Sequence, residues 1–128
     1  MYAAGLIEDS DGNVLITRAP SALSSETRWR FPRGEVEKGE SPEAAMRRIV
    51  RAHLGLHIEI IAGQPPIAAA VNRVEAELRY FFCGVAAEDS TTEAGVEVRW
   101  VAKGQLREYD FDEASISVAR WLGESIVK

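Results

Sequence analysis

The sequence predicts an α/β domain of the α+β kind, a mixed β-sheet sandwiched between helices. Three features predict it. Short apolar runs of strand length recur between turn signals, one helix carries caps at both ends, and an amphipathic helix closes the chain. At 128 residues the chain fits a single domain, 1–128, with little room for a second.

Residues 2–7 and 14–17 read as strands flanking Asp11, Gly12 and Asn13, a turn signal. A polar loop follows over 19–27, and after Trp29 the residues Pro32 and Gly34 are expected to break any regular element. Ser41 is a good N-cap, Pro42 suits the first helical position, and Glu43 favours the positive end of the helix dipole. Residues 44–54 contain no breaker, and Gly55 stands where a C-terminal cap belongs. Strands are expected at 56–61, 67–71 and 78–86, with Pro65 and Pro66 interrupting. In the last of these, Tyr80 and Phe82 face opposite to Phe81, one side filling core and the other open to stacking on a base. A polar loop at 87–95, a strand at 96–101 and a helix at 113–126 complete the chain, with Trp121 and Leu122 adding apolar bulk to that helix.

An apolar fraction of 46% and a charged fraction of 27% suit a soluble protein that fills a core. The net charge of −5 argues against gripping long DNA or RNA, which needs a basic face. A small anion is compatible, because a few arginines can converge locally. Cys83 is the sole cysteine, so an intrachain disulfide and a Cys-based zinc site are excluded, which fits a reducing, cytoplasmic setting. The first apolar run ends at Glu8, too short for a signal peptide or a membrane span, so no membrane partner is expected.

The segment from Trp29 through Gly34 and Glu40, followed by the helix to Leu56, resembles the Nudix hydrolase signature. That signature is Gly, five residues, Glu, seven residues, then Arg-Glu-apolar-any-Glu-Glu-any-Gly-apolar. Gly34, Glu40, Arg48, Val50, Gly55 and Leu56 fall on it in one unbroken frame. The strands on either side, the aromatic run at 80–82 and the run at 98–101 extend the resemblance over most of the chain. It implies a Nudix-type mixed sheet between helices, hydrolysis of nucleoside diphosphate derivatives, and magnesium as cofactor. Arg33, a basic residue before the first Gly, resembles the subgroup that cleaves dinucleoside polyphosphates.

Three positions depart from the pattern: Ile49, Ala52 and His53 stand where the family has Glu. Spaced i, i+3 and i+4, they share one helix face. Three carboxylates there would gather hard divalent cations, which polarise phosphates and activate water. Ile49 and Ala52 offer no ligand, and the His53 nitrogen suits zinc, copper or nickel better than magnesium. Magnesium is thus implied by the resemblance while its usual ligands are missing, and no metal-binding residues are assigned. Arg47, Arg48 and Arg51 oppose a single helix acid, Glu43, so the helix is suited to meet a phosphate directly.

Glu40 and His53 are the candidate catalytic residues, and Arg33, Gly34, Arg48 and Arg51 the candidate ligand-binding ones. Each has a plainer alternative. Glu40 and Arg48 can form a salt bridge pinning loop to helix, Arg33 can be solvated, and His53 can be a hydrogen-bonded structural residue. Ile49 and Ala52 can face a ligand ring or partner, or pack beneath the neighbouring loop. Glu35, Glu37, Glu75, Glu77, Glu93 and Glu97 are alternative carboxylates outside the positions the signature assigns. Three functions follow as expectations. One is a module that binds a small nucleotide or phosphorylated ligand with weak or no hydrolysis; another is an active pyrophosphohydrolase using carboxylates from elsewhere. The third is a non-catalytic interaction domain, with a homodimer as one form.

Overall fold

The computed structural model describes residues 1–18, 28–71, 73–88 and 96–125. The expected loop at 19–27 and most of that at 87–95, Glu93 included, lie outside the described residues.

Strands β1 (Tyr2–Glu8) and β2 (Asn13–Arg18) form a hairpin. Its turn is closed by Asp9, whose Oδ1 accepts from the backbone N–H groups of Asp11 and Asn13. Then come β3 (Arg33–Glu35), helix α1 (Pro42–Leu54), β4 (Leu56–Gly63), β5 (Ile67–Val71), β6 (Val74–Glu88) and β7 (Glu97–Ala102). A 3₁₀ turn at Lys103–Glu108 leads into helix α2 (Glu113–Ser125).

Among the described residues the strands make one mixed sheet ordered β4-β6-β1-β2-β7, with β3 added on β1 and β5 on β6. The β1–β6 pair is parallel and the others are antiparallel. Strand β6 is longer than its sequence suggests because three partners share it: β5 takes its first half, β4 its second, and β1 the opposite edge.

The alternation of the strands sends side chains to two cores. On one face Ala4, Leu6, Ile16, Phe31, Leu78 and Tyr80 pack with Ala114, Ala119 and Leu122 of α2. On the other Ala3, Ile7, Leu15, Phe81 and Cys83 pack with Ala45, Met46, Ile49, Val50 and Leu54 of α1. The mixed sheet lies between helices, as predicted. Tyr80 and Phe81 also fall on opposite faces as the strand period requires, with Phe82 against Trp121 at 5.9 Å between rings.

Two elements differ from those the sequence predicts. Pro32 and Gly34 do not prevent a strand: β3 pairs antiparallel with the start of β1, Ala3 opposite Gly34. Pro32 sits just outside it, where the absence of an N–H costs the ladder nothing. The 3₁₀ turn, whose Leu106 is fully buried, has no counterpart in the sequence reading.

Helix α1 has the caps the sequence indicates. The Ser41 hydroxyl oxygen accepts from Ala44 N at 3.1 Å, and Gly55 adopts φ 65°, a left-handed turn that lets its N–H reach Arg51 O. Ser41→Ala is expected to lower stability by about 1 kcal/mol. Urea unfolding should show a lower midpoint at unchanged slope.

Candidate functional site

The signature residues come together where β3, the turn after it and α1 meet. Arg48 projects from α1 and holds that turn. Its Nε and Nη2 donate to Glu40 Oε2 and Oε1 at 2.8 and 3.0 Å, and Nη2 also donates to Glu35 O at 2.9 Å. Glu40 Oε1 further accepts from Glu37 N at 3.1 Å. The Arg48 hydrogen bonds, then the Glu37 N–H, hold the Glu40 carboxyl below the usual glutamate range. The same bond to Glu40 raises the Arg48 pKa. Both residues therefore serve as a brace between turn and helix.

Ile49 is 2% exposed and lies over Gly34. A methyl group added at Gly34 would stand only 2.8 Å from Ile49 Cδ1, so the glycine permits the close approach of α1 to β3. Ile49 therefore packs inward and offers no surface to a partner. Ala52 and His53 are exposed in the last turn of α1, and so is Arg51. The expected alternative carboxylate Glu97 is engaged with Arg18, whose Nε lies 2.9 Å from Glu97 Oε1. Glu75 and Glu77 are exposed on β6, a strand whose core contacts to α1 come from Phe81 and Cys83 further along.

Arg33 is neither solvated nor turned toward α1. Its side chain is 4% exposed, and Nη1 lies 2.8 Å from Asp112 Oδ2. Neither terminal nitrogen of Arg33, nor Asp112 Oδ1, nor Ser115 Oγ completes a hydrogen bond of good geometry among the described residues. Burial, then the like charge of Arg33, lowers the pKa of Arg30 nearby, with Asp112 acting the other way. Asp112 occupies the position before α2 where its carbonyl takes the Ser115 and Ile116 N–H groups. Trp29 N and O bond to Asp110 O and Asp112 N, and Phe31 stacks on Phe111 at 5.3 Å, which locks this segment against β3's lead-in. The Tyr80 hydroxyl donates to Ala114 O at 2.8 Å, and burial pushes its pKa up to about 12. Burial also pushes the Cys83 thiol up to about 12, so it is no nucleophile at neutral pH.

Sequence reasoning missed Asp112 and Ser115. The available signal was an Asp immediately before a helix, but that position ordinarily denotes a cap rather than a partner for a distant arginine.

The profile of the NUDIX domain family matches residues 1–122. The chain belongs to the Nudix family. A MutT structure from work on the Aliivibrio salmonicida and Vibrio cholerae proteins is 30% identical with a TM-score of 0.71, the match covering 98% of this chain and 97% of that one. A NUDIX hydrolase from Nitrosomonas europaea is 17% identical with a TM-score of 0.79, covering 97% and 87%. An 8-oxo-dGTP diphosphatase of Proteus vulgaris is 36% identical over 56 residues, which is 44% of this chain and half the length of that relative.

Nudix proteins generally use a divalent metal such as magnesium. The residues at the signature positions of this Nudix domain do not fit one. Ile49 is buried and lacks a donor, Ala52 has none, and both Glu40 oxygens are held by Arg48. Among the described residues no group of three or more His, Cys, Asp and Glu is arranged to hold a metal ion.

In a carbon-13 NMR titration, the Glu40 carboxyl should titrate below the ordinary glutamate range and rise toward it in Arg48→Ala. Because its folded pKa is depressed, the brace contributes stability above the unfolded glutamate pKa and loses it as pH falls through the folded value. An unmoved Glu40 titration in the variant would show that Arg48 is not its partner in solution.

Proposed function

We propose that this Nudix domain binds a small nucleotide or phosphorylated ligand and hydrolyses it slowly or not at all, as a cytoplasmic protein. The carrying observation is the contact between Ile49 and Gly34. It puts packed hydrocarbon at one of the signature positions that carries a glutamate, and a hydrocarbon can neither ligate a hard cation nor relay a proton. The ligand class follows from relatives that are a MutT protein and an 8-oxo-dGTP diphosphatase. Arg33 by its sequence position points instead to dinucleoside polyphosphates, but its guanidinium is committed to Asp112. Arg48 is likewise engaged, with Glu40 and Glu35 O, so the exposed Arg51 is the better candidate for meeting phosphate.

The test is turnover of 8-oxo-dGTP, dGTP and a dinucleoside tetraphosphate with magnesium or manganese. Rates are expected at least about a thousandfold below the ~10 s⁻¹ of a typical enzyme. Thermal shifts with the same compounds should survive a chelator. Ordinary turnover that Glu40→Gln abolishes would overturn the reading in favour of a hydrolase drawing carboxylates from elsewhere.

Introducing Ile49→Glu, Ala52→Glu and His53→Glu together should create magnesium binding measurable by calorimetry. It should also lower the melting temperature, because position 49 faces the core. A folded triple variant with no heat of binding would mean that the α1 surface is unsuited to metal for reasons beyond these three side chains.

A further inference from the structure

We infer that the flank of α1 turned away from the signature face is a binding pocket for a small phosphate anion, formed by Arg47, Arg48 and Arg51 against the start of β4. The inference rests on the reading that this domain takes phosphorylated ligands, and gives one phosphoryl group a place. The pocket has a volume of about 220 Å³ and is lined by these three arginines with Leu56, His57 and Ile58. At about 100° per residue, Arg47 and Arg51 lie one turn apart on a single face, and Ile49 lies on the far side of the helix.

Charge selects the ligand. Among the described residues no carboxylate lines the cavity, although the whole chain carries −5. Like charges at i and i+4 repel by a few tenths of a kcal/mol, so Arg47 and Arg51 gain from an anion between them. Arg48 is held in a fixed orientation by Glu40 and Glu35 O, and Glu40 neutralises much of its charge. The anion's charge therefore falls mainly on Arg47 and Arg51, whose guanidinium forks match phosphate oxygens. Leu56 and Ile58, both buried, give the pocket an apolar floor that strengthens such bonds.

Size narrows it further. Pockets that enclose drug-sized ligands run from about 300 to 1,000 Å³. This one accommodates phosphate or pyrophosphate, or the phosphate end of a larger molecule whose remainder stays outside.

Calorimetry on the full chain at low ionic strength, with chelator present, tests the proposal using inorganic phosphate, pyrophosphate and 8-oxo-dGDP. Saturable pyrophosphate binding is expected. It should weaken at least tenfold in the double variant Arg47→Ala, Arg51→Ala and be partly restored in Arg47→Lys, Arg51→Lys. Both residues are exposed, and unchanged circular dichroism would show that the variants fold. Amide NMR shifts on pyrophosphate addition should centre on residues 47–51 and 56–58. No saturable binding, or binding undiminished in the alanine variant, would overturn the pocket. Pyrophosphate binding without any nucleotide binding would uphold the pocket and sink the nucleotide reading. Nucleotide binding that is insensitive to the alanine variant, with no pyrophosphate binding, would do the reverse.

Discussion

The distance of α1 from the sheet governs everything at the signature. Two glycines set it. A Cβ at Gly5 would meet Met46 Cε at 3.2 Å, and one at Gly34 would meet Ile49 Cδ1 at 2.8 Å. Because the helix lies that close to β1 and β3, the side chain of Ile49 is packed against the Gly34 backbone. An isoleucine there becomes part of the core. The same proximity brings Arg48 within reach of Glu35 O and Glu40, so the turn keeps its shape through a brace that does not involve position 49. The brace at Arg48 and the packing at Ile49 are thus carried by neighbouring residues of one helix that do different structural work.

An acidic chain has placed its arginines with care. On the α2 side of the sheet Arg33 is sunk beside Asp112, with Arg30 close enough for its pKa to fall. Taking such charges out of water is favourable only when partners are well placed, and removing one partner from a buried pair typically costs several kcal/mol. That pair also ties β3 to the start of α2, since Arg33 opens β3 and Asp112 immediately precedes α2. On the α1 side the guanidiniums of Arg47 and Arg51 stay exposed. The first group is an internal tie, whereas the second is available to a ligand.

Features set by local chemistry were legible in the sequence. The frame from Gly34 to Leu56, the caps at Ser41 and Gly55, and the opposed faces of Tyr80 and Phe81 all follow from spacing and period. Features set by distant partners were not. Strand β3 exists because β1 offers it an edge, which outweighs the local tendency of Pro32 and Gly34 to break structure. Arg33 is buried because Asp112, far along the chain, lies opposite it. Ile49 could be read as a lost ligand from the signature alone, but that it packs on Gly34 needed the helix placed on the sheet. The basic pocket likewise needed β4 brought against α1.

The sharing of β6 among three partners has a consequence for how the chain assembles. Its pairing with β5 is local and closes a short loop, so that hairpin costs little chain entropy. Its parallel pairing with β1 sets Tyr2 beside Leu78, and β2 in turn sets Asn13 beside Ala102. Those contacts join residues far apart along the polypeptide and reward the chain only after the long intervening segments have been confined. High separation along the chain makes the central seam of the sheet its most entropically costly pairing, and without β7 the outer edge of β2 would lack its partner.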